Sequence, residues 1–65
     1  MEQEERMLKY FDYAHLPEHL QAASKPFHDL AHHVADNIER CAERTVALRK
    51  LLEAKDAAVR AVVYG

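Results

Sequence analysis

Glycine is almost missing from this chain of 65 residues: the only one is Gly65. Without it, no phosphate-binding loop, dinucleotide-binding glycine motif or glycine-turned hairpin can be written. Tryptophan is absent, and the single cysteine, Cys41, cannot close an intrachain disulfide. Hydroxyl side chains of the serine and threonine type number two, Ser24 and Thr45, each reading as a helix cap or a surface residue. The longest strictly apolar run, Ala61 to Tyr64, falls far short of the ~20 residues that cross a bilayer. The opening Met1-Glu2-Gln3-Glu4-Glu5 is acidic where a secretory signal would be basic and then apolar. With one free thiol and no export signal, a reducing cytosol is the expected compartment. Nine Lys and Arg face eleven Asp and Glu, a net charge of −2. That balance excludes a general binder of nucleic-acid polymers, which needs a basic surface to displace condensed counterions. A local cationic pocket for a small anion stays open.

What is present is helix former. Seven β-branched residues (Val34, Ile38, Thr45, Val46, Val59, Val62 and Val63) never alternate with polar ones over a strand's length. The chain reads as all-α, one small domain over residues 1–65. A domain this size buries only about 60% of the surface its unfolded chain exposes. Eleven of its apolar residues are alanine, and seventeen are Val, Ile, Leu, Met or Phe. Small scaffolds at this limit lean on disulfides, a metal or partner subunits. The first is impossible here, so self-association is the expectation.

A first helical segment, about Gln3 to Tyr13, places Met7, Leu8 and Phe11 at helical spacing. His15-Leu16-Pro17 should break it, because the residue before proline is pushed out of the α region. Pro17 suits the first turn of a new, two-turn helix to about Ala23. Pro26 then predicts a stop, with Ser24 as N-cap of a longer helix to about Arg40. The alternative is one kinked helix from Pro17 to Arg40. The stripe on that second helix is Phe27, Leu30 with Ala31, Val34 and Ile38. A third helix, about Ala42 to Val62, should fold back as an antiparallel hairpin after a short connection. It carries two apolar stripes: Ala47, Leu51, Ala54, Ala58 and Ala61, and beside them Leu48, Leu52, Val59 and Val63. One neighbouring helix covers one stripe. The other points to a second protomer.

Five histidines invite a metal reading, since His28 and His32, or His15 and His19, stand four apart. The third candidate ligand, Asp36, lies two turns from His28 and would strain to reach the same ion. His28, His32 and His33 therefore read as a solvated face with Asp29 and Asp36. Cys41, between Arg40 and Arg44, would need a positioned base and an oxyanion pocket to act as a nucleophile. It reads as a half-buried small hydrophobe. No enzyme and no cofactor is expected. Arg49 with Glu53 and Asp56 with Arg60 have the spacing of solvated helix-face pairs. Tyr10, Tyr13 and Lys25 are more suggestive. Tyrosine rings offer stacking platforms to nucleobases, and a lysine at a helix start stands where the dipole favours phosphate.

The run Lys9-Tyr10-Phe11-Asp12-Tyr13-Ala14-His15-Leu16-Pro17, with Ser24-Lys25-Pro26-Phe27 after it, resembles the N-terminal part of the phage anti-CBASS sponge family. Residues 46–61, Val-Ala-Leu-Arg-Lys-Leu-Leu-Glu-Ala-Lys-Asp-Ala-Ala-Val-Arg-Ala, are similar to that family's final helix. The resemblance implies a short helical hairpin that assembles into a homo-oligomer, typically a hexamer. It implies capture of the cyclic oligonucleotides with which bacterial CBASS defence switches on its effectors, in the cytoplasm of the infected host. Cyclic dinucleotides would sit between protomers, with cyclic trinucleotides in separate pockets of some members. By position, the family's stacking tyrosine matches Tyr10 and its phosphate-contacting lysine matches Lys25. Tyr13 is close enough to be the stacking residue instead, and Arg60 corresponds to an arginine of the trinucleotide pocket. The competing reading is an oligomerising helical-hairpin interaction module with no nucleotide ligand.

Overall fold

The computed structural model describes residues 5–65. Its elements are a 3₁₀ arm, Arg6–Phe11, and two helices, α1 (Glu18–Asn37) and α2 (Ala42–Tyr64). Among the described residues there is no strand, and the two helices form an antiparallel hairpin. The arm is shorter and tighter than the expected helix from Gln3 to Tyr13, whose first two residues lie outside the described ones. In a 3₁₀ turn, residues three apart stand one above the other. Leu8 and Phe11 therefore share a ridge, and both pack into the core. Glu5 caps the arm, its carboxylate accepting from the Met7 N–H.

The chain then turns through residues 12–17. Gln21, one turn into α1, ties that loop down: its side-chain amide donates to the Leu16 carbonyl at 2.8 Å and the Ala14 carbonyl at 3.4 Å. Pro17 stands at the helix entrance, as its fixed φ and missing N–H favour. Pro26 does not stop the helix. The expected break, with Ser24 as N-cap and separate helices Pro17–Ala23 and Ser24–Arg40, is replaced by one helix with Pro26 inside it. The exposed Pro26 ring removes one backbone hydrogen bond, but α1 packs through Ser24 before it and Phe27 and Ala31 after it, and packing decides helix continuity more than propensity does. Ser24 is fully buried rather than capping. Its hydroxyl finds no hydrogen-bond partner. Ser24→Ala should accordingly raise stability by about 1 kcal/mol, since it removes an unpaired buried polar group at almost no loss of volume. Thermal unfolding followed by circular dichroism reads this directly.

The helix ends at Asn37, earlier than the expected Arg40, and no described residue has positive φ. With glycine confined to the last position, the usual left-handed C-terminal cap is missing. Side chains replace it. Asn37 donates to the His33 carbonyl at 2.8 Å, and Arg44, from the first turn of α2, donates to the carbonyls of Ala35 (3.1 Å) and Ile38 (2.8 Å). The same guanidinium pairs with the Glu5 carboxylate, so one side chain joins the arm, the end of α1 and the start of α2. Both partners are nearly buried, at 7% and 9% exposure. Arg44 holds the Glu5 carboxyl below its ordinary range, more than burial raises it.

The core is small: Phe11, Ala31 and Leu48 are fully buried, with Met7, Leu8, Phe27, Val34, Leu51 and Leu52 packed around them. Ala31 contributes little volume but lets α2 approach closely. Leu30 and Ile38, expected on the same stripe, are about half exposed. On α2 both expected stripes are partly covered: Leu48, Leu51 and Leu52 pack into the core and Ala58 and Val59 are half-buried, while Ala47, Ala54 and Ala61 lie open. The helix runs two residues past the expected Val62, and Val62, Val63 and Tyr64 are exposed.

Candidate functional site

Of the four residues expected at a ligand site, the structure links two and leaves two apart. Tyr13 follows the arm on the loop clamped by Gln21. Its ring meets that of His28 edge to face, with centroids 4.9 Å apart. His28 in turn stands 4.3 Å from the His32 ring and 3.1 Å from an Asp29 carboxylate oxygen. The other Asp29 oxygen accepts from Lys25 at 2.7 Å. Tyr13, His28, Asp29 and Lys25 therefore form one chain of contacts along the outer face of α1. Beside it lies a hollow of about 390 Å³ lined by Asp12, Tyr13, Ala14, His15 and His28. It is open to solvent, too shallow for one protomer to enclose a drug-sized ligand.

Lys25 is not at a helix start. Because α1 runs unbroken through Pro26, Lys25 sits mid-helix, and the N-terminal dipole that sequence reasoning assigned to it is absent there. Its charge is instead met by Asp29, whose hydrogen bond raises the lysine's pKa while the carboxyl's is lowered, chiefly by Lys25 and then by His28. Both side chains are more than half exposed, so a phosphate could compete for the ammonium, against the repulsion of Asp29.

Tyr10 projects elsewhere. Tyr10 is 52% exposed, yet its backbone is fixed. The next residue, Phe11, is fully buried, and the Tyr10 carbonyl accepts from Lys55 of α2 at 2.8 Å. The Lys9 ammonium lies 5.3 Å from the Tyr10 ring centroid. Arg60 is exposed, five residues beyond Lys55 on α2, and makes no ion pair with the expected Asp56. Arg49 and Glu53 make none either.

Two further expectations change. Cys41 is exposed, at the N-cap of α2, because the connection that carries it turns away from the core; it is not half-buried. His28 and His32 are half-buried against Tyr13 and each other rather than fully solvated. Among the described residues, no group of three or more His, Cys, Asp or Glu side chains is placed to hold a metal ion, and no helix is long and apolar enough to cross a membrane. Sequence reasoning missed Lys9, Lys55 and His28 as neighbours of the tyrosines. The Lys25–Asp29 pair was legible from its i, i+4 spacing, whereas Lys55 meets Tyr10 across 45 positions.

Compared with protein-family models, curated protein sequences and solved structures, the chain matches none.

Proposed function

We propose that this protein sequesters cyclic dinucleotides, and cyclic trinucleotides in a second mode, without breaking a bond in them. The observation that carries the reading is Tyr10: a half-exposed ring on a backbone held from both sides, by the buried Phe11 and by Lys55. A ring presented this way loses little freedom on stacking, and stacking on an aromatic side chain contributes about 1–3 kcal/mol per base. Tyr13, on the loop that follows the arm, offers a second ring at the edge of an open hollow. Because that hollow cannot enclose a ligand alone, the capturing form is a homo-oligomer, a hexamer by the family resemblance, with ligands between protomers. A two-fold interface would present each contact twice to a nearly two-fold-symmetric cyclic dinucleotide. The biological role that fits is phage counter-defence, with the signal that activates CBASS effectors held out of reach in the host cytoplasm.

The test has a chemical readout. Protein incubated with cyclic dinucleotide should deplete it from solution, and denaturing the complex should return it intact; a linear or hydrolysed product would indicate an enzyme. Tyr10→Ala should weaken binding about five- to hundredfold, the range expected for loss of one stacked base, and leave helicity unchanged.

A second reading draws on a different observation. Leu30, Ile38, Val62, Val63 and Tyr64 are all 47% exposed or more, the pattern of an interaction module that docks on another protein. Calorimetry separates the two: heat with cyclic nucleotides favours sequestration, and flat traces across a panel favour the module.

A further inference from the structure

The charges around the two tyrosines differ in one respect that bears on phosphate. Lys25, beside Tyr13, is already neutralised by Asp29 at 2.7 Å. Lys9 and Lys55, beside Tyr10, make no ion pair among the described residues. The carboxylates nearest Lys55 along α2, Glu53 and Asp56, are two and one positions away, a spacing at which helical side chains do not face each other. Asp12, three residues after Lys9, does not reach it either. In a chain of net charge −2, two ammonium groups without an ion pair among the described residues, one at the Tyr10 ring and one at the Tyr10 carbonyl, form a local positive spot.

The distances place both at the same residue. One nitrogen is 5.3 Å from the Tyr10 centroid and the other 2.8 Å from the Tyr10 carbonyl oxygen. An ammonium has three donors, and Lys55 commits one to that carbonyl, leaving two for an anion. Its stem is half-buried along α2, which limits the freedom it would lose on binding. The exposed Tyr10 side chain supplies a flat apolar surface beside these charges. A base carrying a phosphate matches this arrangement; a free base lacks the anion, and a bare phosphate lacks the stacking face.

We propose that Lys9 and Lys55, flanking Tyr10, are the phosphate-contacting residues of the nucleotide site. This rests on the sequestering reading and sharpens it, moving the anion contact from the arm's far side to the face shared with α2. Lys55 then has two tasks, holding the arm through the Tyr10 carbonyl and meeting the ligand.

The experiment is calorimetric titration of cyclic diadenylate and cyclic diguanylate into the unaltered protein and into Lys9→Met, Lys55→Met, Lys55→Gln, Lys55→Arg and Lys25→Met. It is run at two salt concentrations, with circular dichroism on each variant. Lys9→Met and Lys55→Met should each weaken binding about tenfold, the scale of one charge-assisted contact. The dependence of affinity on salt should shrink in both. Lys55→Arg should stay close to the unaltered protein. Lys55→Gln, which retains a donor for the Tyr10 carbonyl but no charge, should lose affinity like Lys55→Met. Undiminished binding in the Lys9 and Lys55 variants, with the loss confined to Lys25→Met, overturns this inference alone. So does full retention in Lys55→Gln, which would make Lys55 a pin and nothing more. No heat from the unaltered protein with either probe overturns the sequestering reading and this inference together.

Discussion

Arg44→Met should destabilise the protein by about 3 kcal/mol. Stripping one partner from a buried ion pair leaves the other charge without compensation, at a cost of several kcal/mol. Here the substitution leaves the Glu5 carboxylate with Arg40 at 3.9 Å, and removes the donors that satisfy the Ala35 and Ile38 carbonyls. Methionine keeps the stem's packing, so what is lost is the guanidinium itself. A chain of this size has a total stability of only about 3–10 kcal/mol, so the variant should be largely unfolded at 37 °C unless assembly supports it. Urea unfolding measures the effect, and a shift below 1 kcal/mol would show that the junction is not held this way. The pH dependence has a definite sign. Glu5 is lowered in the folded state from its ordinary value near 4.5. Its contribution is therefore fully present above that value and lost as pH falls through the folded one. The stability gap between the unaltered protein and Arg44→Met should be constant near neutrality and close in acid.

Phe11→Ala should cost about as much, by a different route. Phe11 is the largest fully buried side chain, and truncating a buried phenylalanine costs about 3–5 kcal/mol through lost burial and the cavity left behind. Because Phe11 is also the arm's main anchor, the damage should be uneven. Residues 6–16 should lose hydrogen-exchange protection first, while the facing turns of α1 and α2 around Leu48 stay protected longer. Nucleotide binding should fall even where the hairpin persists, since Tyr10 is adjacent and loses its fixed backbone. Equal loss of protection throughout the chain would contradict an arm docked on a separately persisting hairpin.

Much of this fold was readable from residue spacing. The apolar stripes of the last helix, the short connection expected around residues 39–43 and the absence of strand patterning sufficed for an antiparallel hairpin. Pro26 misled because a proline's local cost is visible in sequence, whereas the burial of Phe27 and Ala31 that holds the helix through it is not. The reassignment of Ser24 and Lys25 follows from that one error. A buried serine in mid-helix and a capping serine look identical in one dimension, and Lys25 seemed to stand at a helix start only because the helix seemed to begin there. The Glu5–Arg44 and Lys55–Tyr10 contacts join positions 39 and 45 apart, beyond what any periodicity encodes. The tyrosines as candidate platforms could be picked from residue type and family resemblance, but their surroundings required the folded chain. Tyr13 faces histidine and a neutralised lysine, whereas Tyr10 has Lys9 at its ring and Lys55 at its carbonyl, neither in an ion pair among the described residues.

Capture of a cyclic nucleotide by an assembled, non-catalytic protein is tested most directly by equilibrium dialysis of the purified protein, its assembly state fixed by light scattering, against a panel of cyclic di- and trinucleotides. An oligomer that retains at least one of them at nanomolar to micromolar affinity, and releases it unchanged on denaturation, is the predicted result. A stable monomer, or an oligomer that leaves every member of the panel equally distributed across the membrane, would contradict it.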